Sequence, residues 1–234
     1  MPLVDMRYKH TQNWFLVSEI RQKLLKFING SQTHHILEIG CFEGLSSVFF
    51  ADNLLTQPES TLVCVDPFLK IANNDHSQFL QNNEEANFDY NITHCQNSQK
   101  ITVHKITSDE FFKSNTVSTG FVAQSGATAF SLNSRPPGVG LEFNVNGTQM
   151  FDFIYIDGCH EPDFIMRDME NSFKILEPNG IMWMDDYCGG DGSIIKKTMD
   201  EFLDKYRGQY IIIHRQYQLA ITKQSNAPAA ATAQ

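Results

Sequence analysis

Short apolar runs alternate with amphipathic stretches along most of the chain. From about Thr11 to Ile28, the residues Ile20, Leu24, Phe27 and Ile28 recur at helical spacing and Asn29-Gly30 ends the pattern, so a helix is expected there. Ile36-Leu37-Glu38-Ile39, closed by Gly40, reads as a strand buried on both faces. Gly44 to Leu55 reads as a helix and Thr61 to Val65 as a second strand, ending at Asp66-Pro67. An Asn-rich stretch leads into a helix expected from about Ser77 to Tyr90. Ile101 to Ile106 reads as a third strand, after which Ser108-Asp109-Glu110 opens a short helix. Phe151 to Ile156 is the fourth strand, ending at Asp157-Gly158. Pro162 opens a helix striped by Ile165, Met169, Phe173 and Leu176 and stopped by Pro178-Asn179-Gly180. Ile181 to Met184 is the fifth strand, ending at Asp185-Asp186, and Ser193 to Tyr206 is helical. Tyr210 to His214 and Tyr217 to Thr222 are joined too tightly to be anything but antiparallel neighbours.

Strands alternating with helices predict a doubly wound, Rossmann-like α/β sheet, mostly parallel with a C-terminal antiparallel hairpin. The length of 234 residues suits one domain over 1–224, with an N-terminal helical segment over 1–30 and a flexible tail over 225–234. Ser114 to Met150 breaks the pattern with Gly, Ser, Asn and the turn signal Arg135-Pro136-Pro137-Gly138. A structureless connection of that length is uncommon in a compact domain, so it reads as an insertion forming a wall or lid over the substrate edge.

Composition narrows the partners. With 18 Lys and Arg against 27 Asp and Glu, the net charge of -9 disfavours duplex nucleic acid and anionic membrane. No apolar run reaches the ~20 residues that span a bilayer. Met1 to His10 holds no apolar core segment, so no secretion signal is expected. The five cysteines form no C-x-x-C pair, which fits reduced thiols and a cytoplasmic location. A small-molecule substrate is the expected partner, and the sequence leaves self-association open.

Ligands of such sheets bind at the carboxyl ends of the strands. There the chain places Glu38 and Gly40, Asp66, Asp157, and Asp185 with Asp186. The turn Gly40-Cys41-Phe42-Glu43-Gly44 carries Phe42 where a dinucleotide fold needs its second glycine, and a benzyl group there obstructs a pyrophosphate. A nicotinamide dehydrogenase is therefore disfavoured. Glu38 adds negative charge that suits a cationic ligand, and Asp66 can accept hydrogen bonds from two ribose hydroxyls. A ligand with a ribose, a positive charge and no phosphate is S-adenosylmethionine.

Ile36 to Ser47 resembles the first motif of class I S-adenosylmethionine-dependent methyltransferases. The blocks Ile156-Asp157-Gly158-Cys159-His160 and Asn179-Gly180-Ile181-Met182-Trp183-Met184-Asp185-Asp186 resemble the subgroup that methylates hydroxyls of small molecules such as sugars and natural products. Asn179 replaces the usual first glycine of that block, and Ile106-Thr107-Ser108 departs from the usual third-strand motif. The resemblance implies cofactor contacts from Glu38, Gly40, Cys41, Phe42, Gly44 and Ser46, from Asp66 and Pro67, from Thr107 and Ser108, and from Asp157.

With the family's strand order, Asp157 and Asp185 end adjacent strands, ~4.8 Å apart. Their carboxylates and Asp186 then converge, and three carboxylates repel unless a cation intervenes. Oxygen ligands favour magnesium, manganese or calcium. His160, three residues after Asp157, has the spacing of the subgroup's general base. The expected reaction is cation-assisted O-methylation with Asp157 and His160 in the catalytic centre. Two alternatives stand beside it: the same fold acting on RNA or protein, and a non-catalytic cofactor-binding domain.

Overall fold

A computed structural model describes residues 7–68, 83–115, 148–188 and 193–225 of the chain. Within them, seven strands form one sheet in the order β3-β2-β1-β4-β5-β7-β6. The strands are β1 (His35–Ile39), β2 (Thr61–Val65), β3 (Ile101–His104), β4 (Phe151–Ile156), β5 (Leu176–Met184), β6 (Tyr210–Arg215) and β7 (Leu219–Lys223). β1 to β5 pair in parallel, and β7 runs antiparallel between β5 and β6. The helices are α1 (Trp14–Val17), α2 (Glu19–Lys23), α3 (Leu45–Leu54), α4 (Glu84–His94), α5 (Ser108–Asn115), α6 (Pro162–Ile175) and α7 (Ser193–Lys205). Among the described residues, no helix is long and apolar enough to cross a membrane.

The alternation of side chains along each strand explains the two cores. Leu37, Ile39, Ile154, Ile156, Met182 and Met184 face one way and pack with Ile165, Met169 and Phe173 of α6 and Met199 and Phe202 of α7. Ile36, Leu62, Phe153, Tyr155 and Trp183 face the other way and pack with Val48, Phe50 and Leu54 of α3, Phe88 and Ile92 of α4, and Ile20 and Leu24. Both faces being covered, the central strands read as continuous apolar runs.

Four local expectations change. The single helix from Thr11 to Ile28 is instead α1, α2 and a short 3-10 turn over Leu24–Lys26. Ser18 makes the break: its backbone is extended (φ -65°, ψ 154°), and its hydroxyl accepts from the Arg21 amide at 3.4 Å. Ser18 thus caps a new helix, which its polar side chain favours over continuing the old one. The third strand stops at His104 and not at Ile106, because Thr107 is committed to the start of α5. In the helix expected over Ser77 to Tyr90, residues 77–82 lie outside the described residues, and the described part runs on to His94. Pro178-Asn179-Gly180 does not end a helix but lies inside β5, with Asn179 at φ 65° and a register shift between Phe151 and Phe153 absorbing the extra residues. Most of the expected insertion, residues 116–147, and nearly all of the tail, residues 226–234, also lie outside the described residues.

Candidate active site at the carboxyl edge of the sheet

Backbone hydrogen bonds extend the ladder past the strand ends and lock the site's loops side by side. Gly40 N donates to Val65 O at 2.9 Å, Asp157 N to Ile39 O at 2.8 Å, and Asp185 N to Ile156 O at 2.9 Å. The residues expected at the strand ends therefore share one edge. Between β1 and α3 the chain alternates through left-handed conformations at Gly40 (φ 81°), Phe42 (φ 47°) and Gly44 (φ 78°). The Gly44 amide closes the turn on Cys41 O at 2.7 Å.

Asp66 is the staple of this turn. One of its oxygens accepts from the Cys41 amide at 2.8 Å and the Phe42 amide at 3.0 Å, and the other accepts from Phe68 N at 2.7 Å. Burial nevertheless pushes its carboxyl up, against the pull of those three amides. Pro67 directly follows, half-buried. Thr107 and Glu110 form a reciprocal capping pair at the start of α5, with Thr107 N reaching Glu110 at 3.0 Å and Glu110 N reaching the Thr107 hydroxyl at 3.3 Å. Ser108 supports the carboxyl of Asp168 on α6.

Glu38 does not present its charge to a ligand. It is 0% exposed, and its carboxyl accepts hydrogen bonds from the hydroxyls of Ser46 and Ser47 and from the Cys64 thiol. Burial raises it to about 7. Here Glu38 and Ser46 hold the start of α3 against β1, an internal task the sequence expectation had not assigned. Cys41, also buried, lies beside Glu38.

The chain before β1 straps this edge from outside. Lys9 N donates to Asn91 at 2.7 Å, and Thr11 N donates to the buried Glu43 at 2.6 Å. Trp14, 43% exposed, stacks on Phe42 with ring centroids 5.4 Å apart.

The acidic group differs in detail from the expected one. Ligating atoms of Asp157, His160 and Asp186 all lie within 4.8 Å of one another. His160 Nε2 stands 3.0 Å from an Asp186 oxygen. Asp185 is not part of this set. One of its oxygens accepts from the Tyr155 hydroxyl at 2.7 Å and the other from the Asp186 amide at 2.7 Å. Of the three aspartates expected as ligands, Asp157 and Asp186 share this point with His160, and Asp185 is turned inward. The reason is Tyr155, whose buried phenol lies between the two strand ends and also reaches Asp157 at 3.0 Å.

Asp157 lies at the mouth of a shallow cleft, open to solvent on one side and crowded by protein elsewhere. That crowding, then the charges of Asp185 and Asp186, raise its carboxyl well above the usual range. Burial and the Asp186 charge also raise Asp185. The cleft continues past Asp168, which burial raises to about 6, onto an apolar floor of Ile165, Met169, Ile195 and Met199. Its described lining carries four carboxylates and one imidazole, and neither Lys nor Arg.

Sequence reasoning missed three residues here. Tyr155 looked like one more apolar strand position. Tyr217 donates its hydroxyl to Asp186 at 2.7 Å, and the buried Gln218 favours the charged form of Asp185. Both come from the β6–β7 turn, and no local motif marks them. Only the antiparallel placement of β7 beside β5 brings that turn to the site.

Comparison with known proteins follows the same lines. A family profile described as a methyltransferase domain matches residues 37–187. A search of curated proteins found no match. Among solved structures, the O-methyltransferase TomG of Streptomyces achromogenes, involved in tomaymycin synthesis and bound to S-adenosylmethionine, superposes with TM-score 0.53 at 15% identity, covering 88% of this chain and 75% of that one. The Bacillus cereus O-methyltransferase in complex with S-adenosylhomocysteine gives TM-score 0.51 at 15% identity over 88% and 82%. A Clostridium thermocellum protein provisionally described as an rRNA methylase gives TM-score 0.55 at 13% identity over 88% and 93%. At these identities the neighbours establish the fold, and the family match covers the glycine turn through the acidic cluster. The chain belongs to this methyltransferase-domain family and has the class I methyltransferase fold.

Proposed function

We propose that this protein is an S-adenosylmethionine-dependent methyltransferase that transfers the methyl group to a hydroxyl of a small molecule with help from a divalent cation. The observation that carries the reading is the convergence of Asp157, His160 and Asp186 at one point on the edge that also holds the glycine turn.

The donor set fits a cation: two carboxylates and an imidazole close together, without a neutralising Lys or Arg in the described cleft lining. The two carboxylates favour a hard ion such as magnesium, manganese or calcium, and the imidazole beside them is left for the proton. A divalent cation held by Asp157 and Asp186 supplies a Lewis acid that lowers the pKa of an acceptor hydroxyl. S-adenosylmethionine supplies an electrophilic methyl group, and the glycine turn with Asp66 fits its ribose and methionine ends. Asp186 orients the His160 ring through Nε2, and the imidazole takes the hydroxyl proton. The remaining contribution is positioning: Asp66 fixes the turn, Tyr155 and Tyr217 fix the carboxylates, and the apolar floor receives the body of the acceptor.

A cleft rimmed by carboxylates repels a phosphate backbone, which favours a small neutral or cationic acceptor over RNA. The test is methyl transfer from labelled S-adenosylmethionine to a panel of hydroxylated small molecules, with RNA and NAD binding as comparators. Labelled product from a hydroxyl acceptor supports the reading. Tight NAD binding without response to S-adenosylmethionine overturns it.

A further inference from the structure

The glycine turn is gripped from two sides. On one side Asp66 takes the amides of Cys41 and Phe42. On the other, the strap of residues 8–15 is fastened to the turn at three points. The Glu43 carboxylate is buried, at 1% exposure. One of its oxygens accepts from Thr11 N at 2.6 Å and the other from Asn87 Nδ2 of α4 at 2.8 Å. The Glu43 carbonyl accepts from Asn91 Nδ2 at 2.7 Å. The same Asn91 amide spans Lys9, donating to its carbonyl at 2.6 Å and accepting from its N–H at 2.7 Å. Finally, the Trp14 ring lies on the Phe42 ring. Asn87 and Asn91 are four residues apart and so share one face of α4.

Phe42 is the residue that needs this grip. Its φ of 47° is a left-handed conformation that costs a residue with a side chain, and such a conformation persists only where the surroundings over-determine it. Asp66 fixes the Phe42 amide, and Trp14 covers its ring while the strap is in place. The two hydrogen bonds of the Glu43 carboxylate are unequal in what they demand. Thr11 offers a backbone N–H, which can only donate, whereas Asn87 can turn either its oxygen or its NH2 toward position 43. The indispensable feature is therefore an acceptor oxygen facing Thr11, held at the length of a glutamate side chain.

We infer that Glu43 is a positioning residue for the cofactor: by fastening the strap to the glycine turn it holds Phe42 in its left-handed conformation, and cofactor affinity depends on that fastening. This rests on the S-adenosylmethionine reading of the turn above. Glu43 is the one residue from Gly40 to Gly44 for which the sequence suggested no part in the site. Its carboxylate is turned to the strap and α4, so its effect on the cofactor runs through the turn. Coupling of this kind is reciprocal: if the fastened strap favours the cofactor, the bound cofactor favours the fastened strap.

The experiment uses the full chain with Glu43→Met and Glu43→Gln. Methionine keeps the length and removes both acceptors. Glutamine keeps an oxygen for Thr11 and lets Asn87 turn to meet its NH2. Two readouts are taken: hydrogen exchange of the Thr11 and Phe42 amides by nuclear magnetic resonance, and S-adenosylmethionine affinity by calorimetry. In Glu43→Met we expect both amides to exchange at least tenfold faster and the affinity to fall at least tenfold. Glu43→Gln should stay within threefold of wild type on both. Saturating S-adenosylmethionine should slow Thr11 exchange in wild type, which a strap that merely adds stability would not show. If Glu43→Met does not fold, Thr11→Pro, which deletes the donor on the strap and leaves the turn's own residues intact, takes its place with the same expectations for Phe42 and the affinity. Affinity within twofold of wild type in the released variant, Glu43→Gln as damaging as Glu43→Met, or Thr11 exchange indifferent to bound cofactor overturns the inference. A wild type that binds no S-adenosylmethionine counts against the cofactor reading; Phe42 exchange in Glu43→Met then decides whether Glu43 positions the turn, and an unchanged rate overturns that role.

Discussion

A Cβ built on Gly40 would lie 2.0 Å from the carbonyl oxygen of Asp157. The glycine turn after β1 and the acidic end of β4 are thus packed backbone to backbone and share one wall. Gly40 is also at φ 81°, where a side chain is strained whatever the space. Gly40→Ala should therefore cost several kcal/mol or prevent folding, on the order of the penalties for backbone strain plus overpacking. Thermal unfolding of the variant checks this. A melting temperature near that of wild type would mean that the two loops are not held in contact.

Asp66 engages three backbone amides of the loops around it. Asp66→Ala removes the staple and, on the proposed reading, the ribose acceptor with it. Cofactor binding should weaken by roughly 1–3 kcal/mol, the range for charge-assisted hydrogen bonds. Calorimetry gives the affinity, and fluorescence gives a second view. The chain has two tryptophans, and Trp14, the exposed one, stacks on Phe42 of the turn. Saturating cofactor should change Trp14 emission in wild type, and Trp14→Phe should abolish the change.

Glu38 gives a pH dependence with a definite sign. Its folded-state value of about 7 exceeds the ordinary carboxylate value, so the folded chain holds this proton more tightly than the unfolded one. Its contribution is fully present below the unfolded value and is lost as pH climbs to about 7, by up to about 3 kcal/mol. Glu38→Gln, a neutral mimic, should flatten the fall in stability between pH 5 and pH 8 measured by urea unfolding. A residual slope from Asp168, raised to about 6, should persist. Parallel curves for wild type and variant would show that Glu38 keeps its charge inside the protein.

How much of this was legible in the sequence depends on range. β2 and β4 match their expected bounds residue for residue, because doubly buried strands are dominated by apolar residues and end at acidic turns. The aspartates at the strand ends were visible for the same reason. The break at Ser18 was not, since Ile20 and Leu24 keep helical spacing across a capped restart. Nor was β5 upstream of Gly180, where Pro178 and Asn179 look like a stop but are accommodated by a bulge. At the site, residue types were readable and pairings were not. Glu38 looked like a ligand charge because nothing in the sequence says that Ser46 and Ser47, in the first turn of α3, fold back onto it. Asp185 looked like a cation ligand because Tyr155 reads as a core residue until its hydroxyl is seen between two carboxylates.

The central claim is that methyl transfer depends on a cation held by Asp157 and Asp186 with His160 beside it. The most direct measurement is turnover of wild type, Asp157→Asn, Asp186→Asn and His160→Ala on one accepted hydroxyl substrate, in chelator and after adding back Mg2+ or Mn2+. The account predicts that chelator silences wild type and that either ion restores it. The two asparagine variants should stay inactive with cofactor affinity nearly unchanged. His160→Ala should lose roughly 10²–10⁴-fold in turnover, the usual cost of a missing general base. Full activity of wild type in excess chelator would contradict the account.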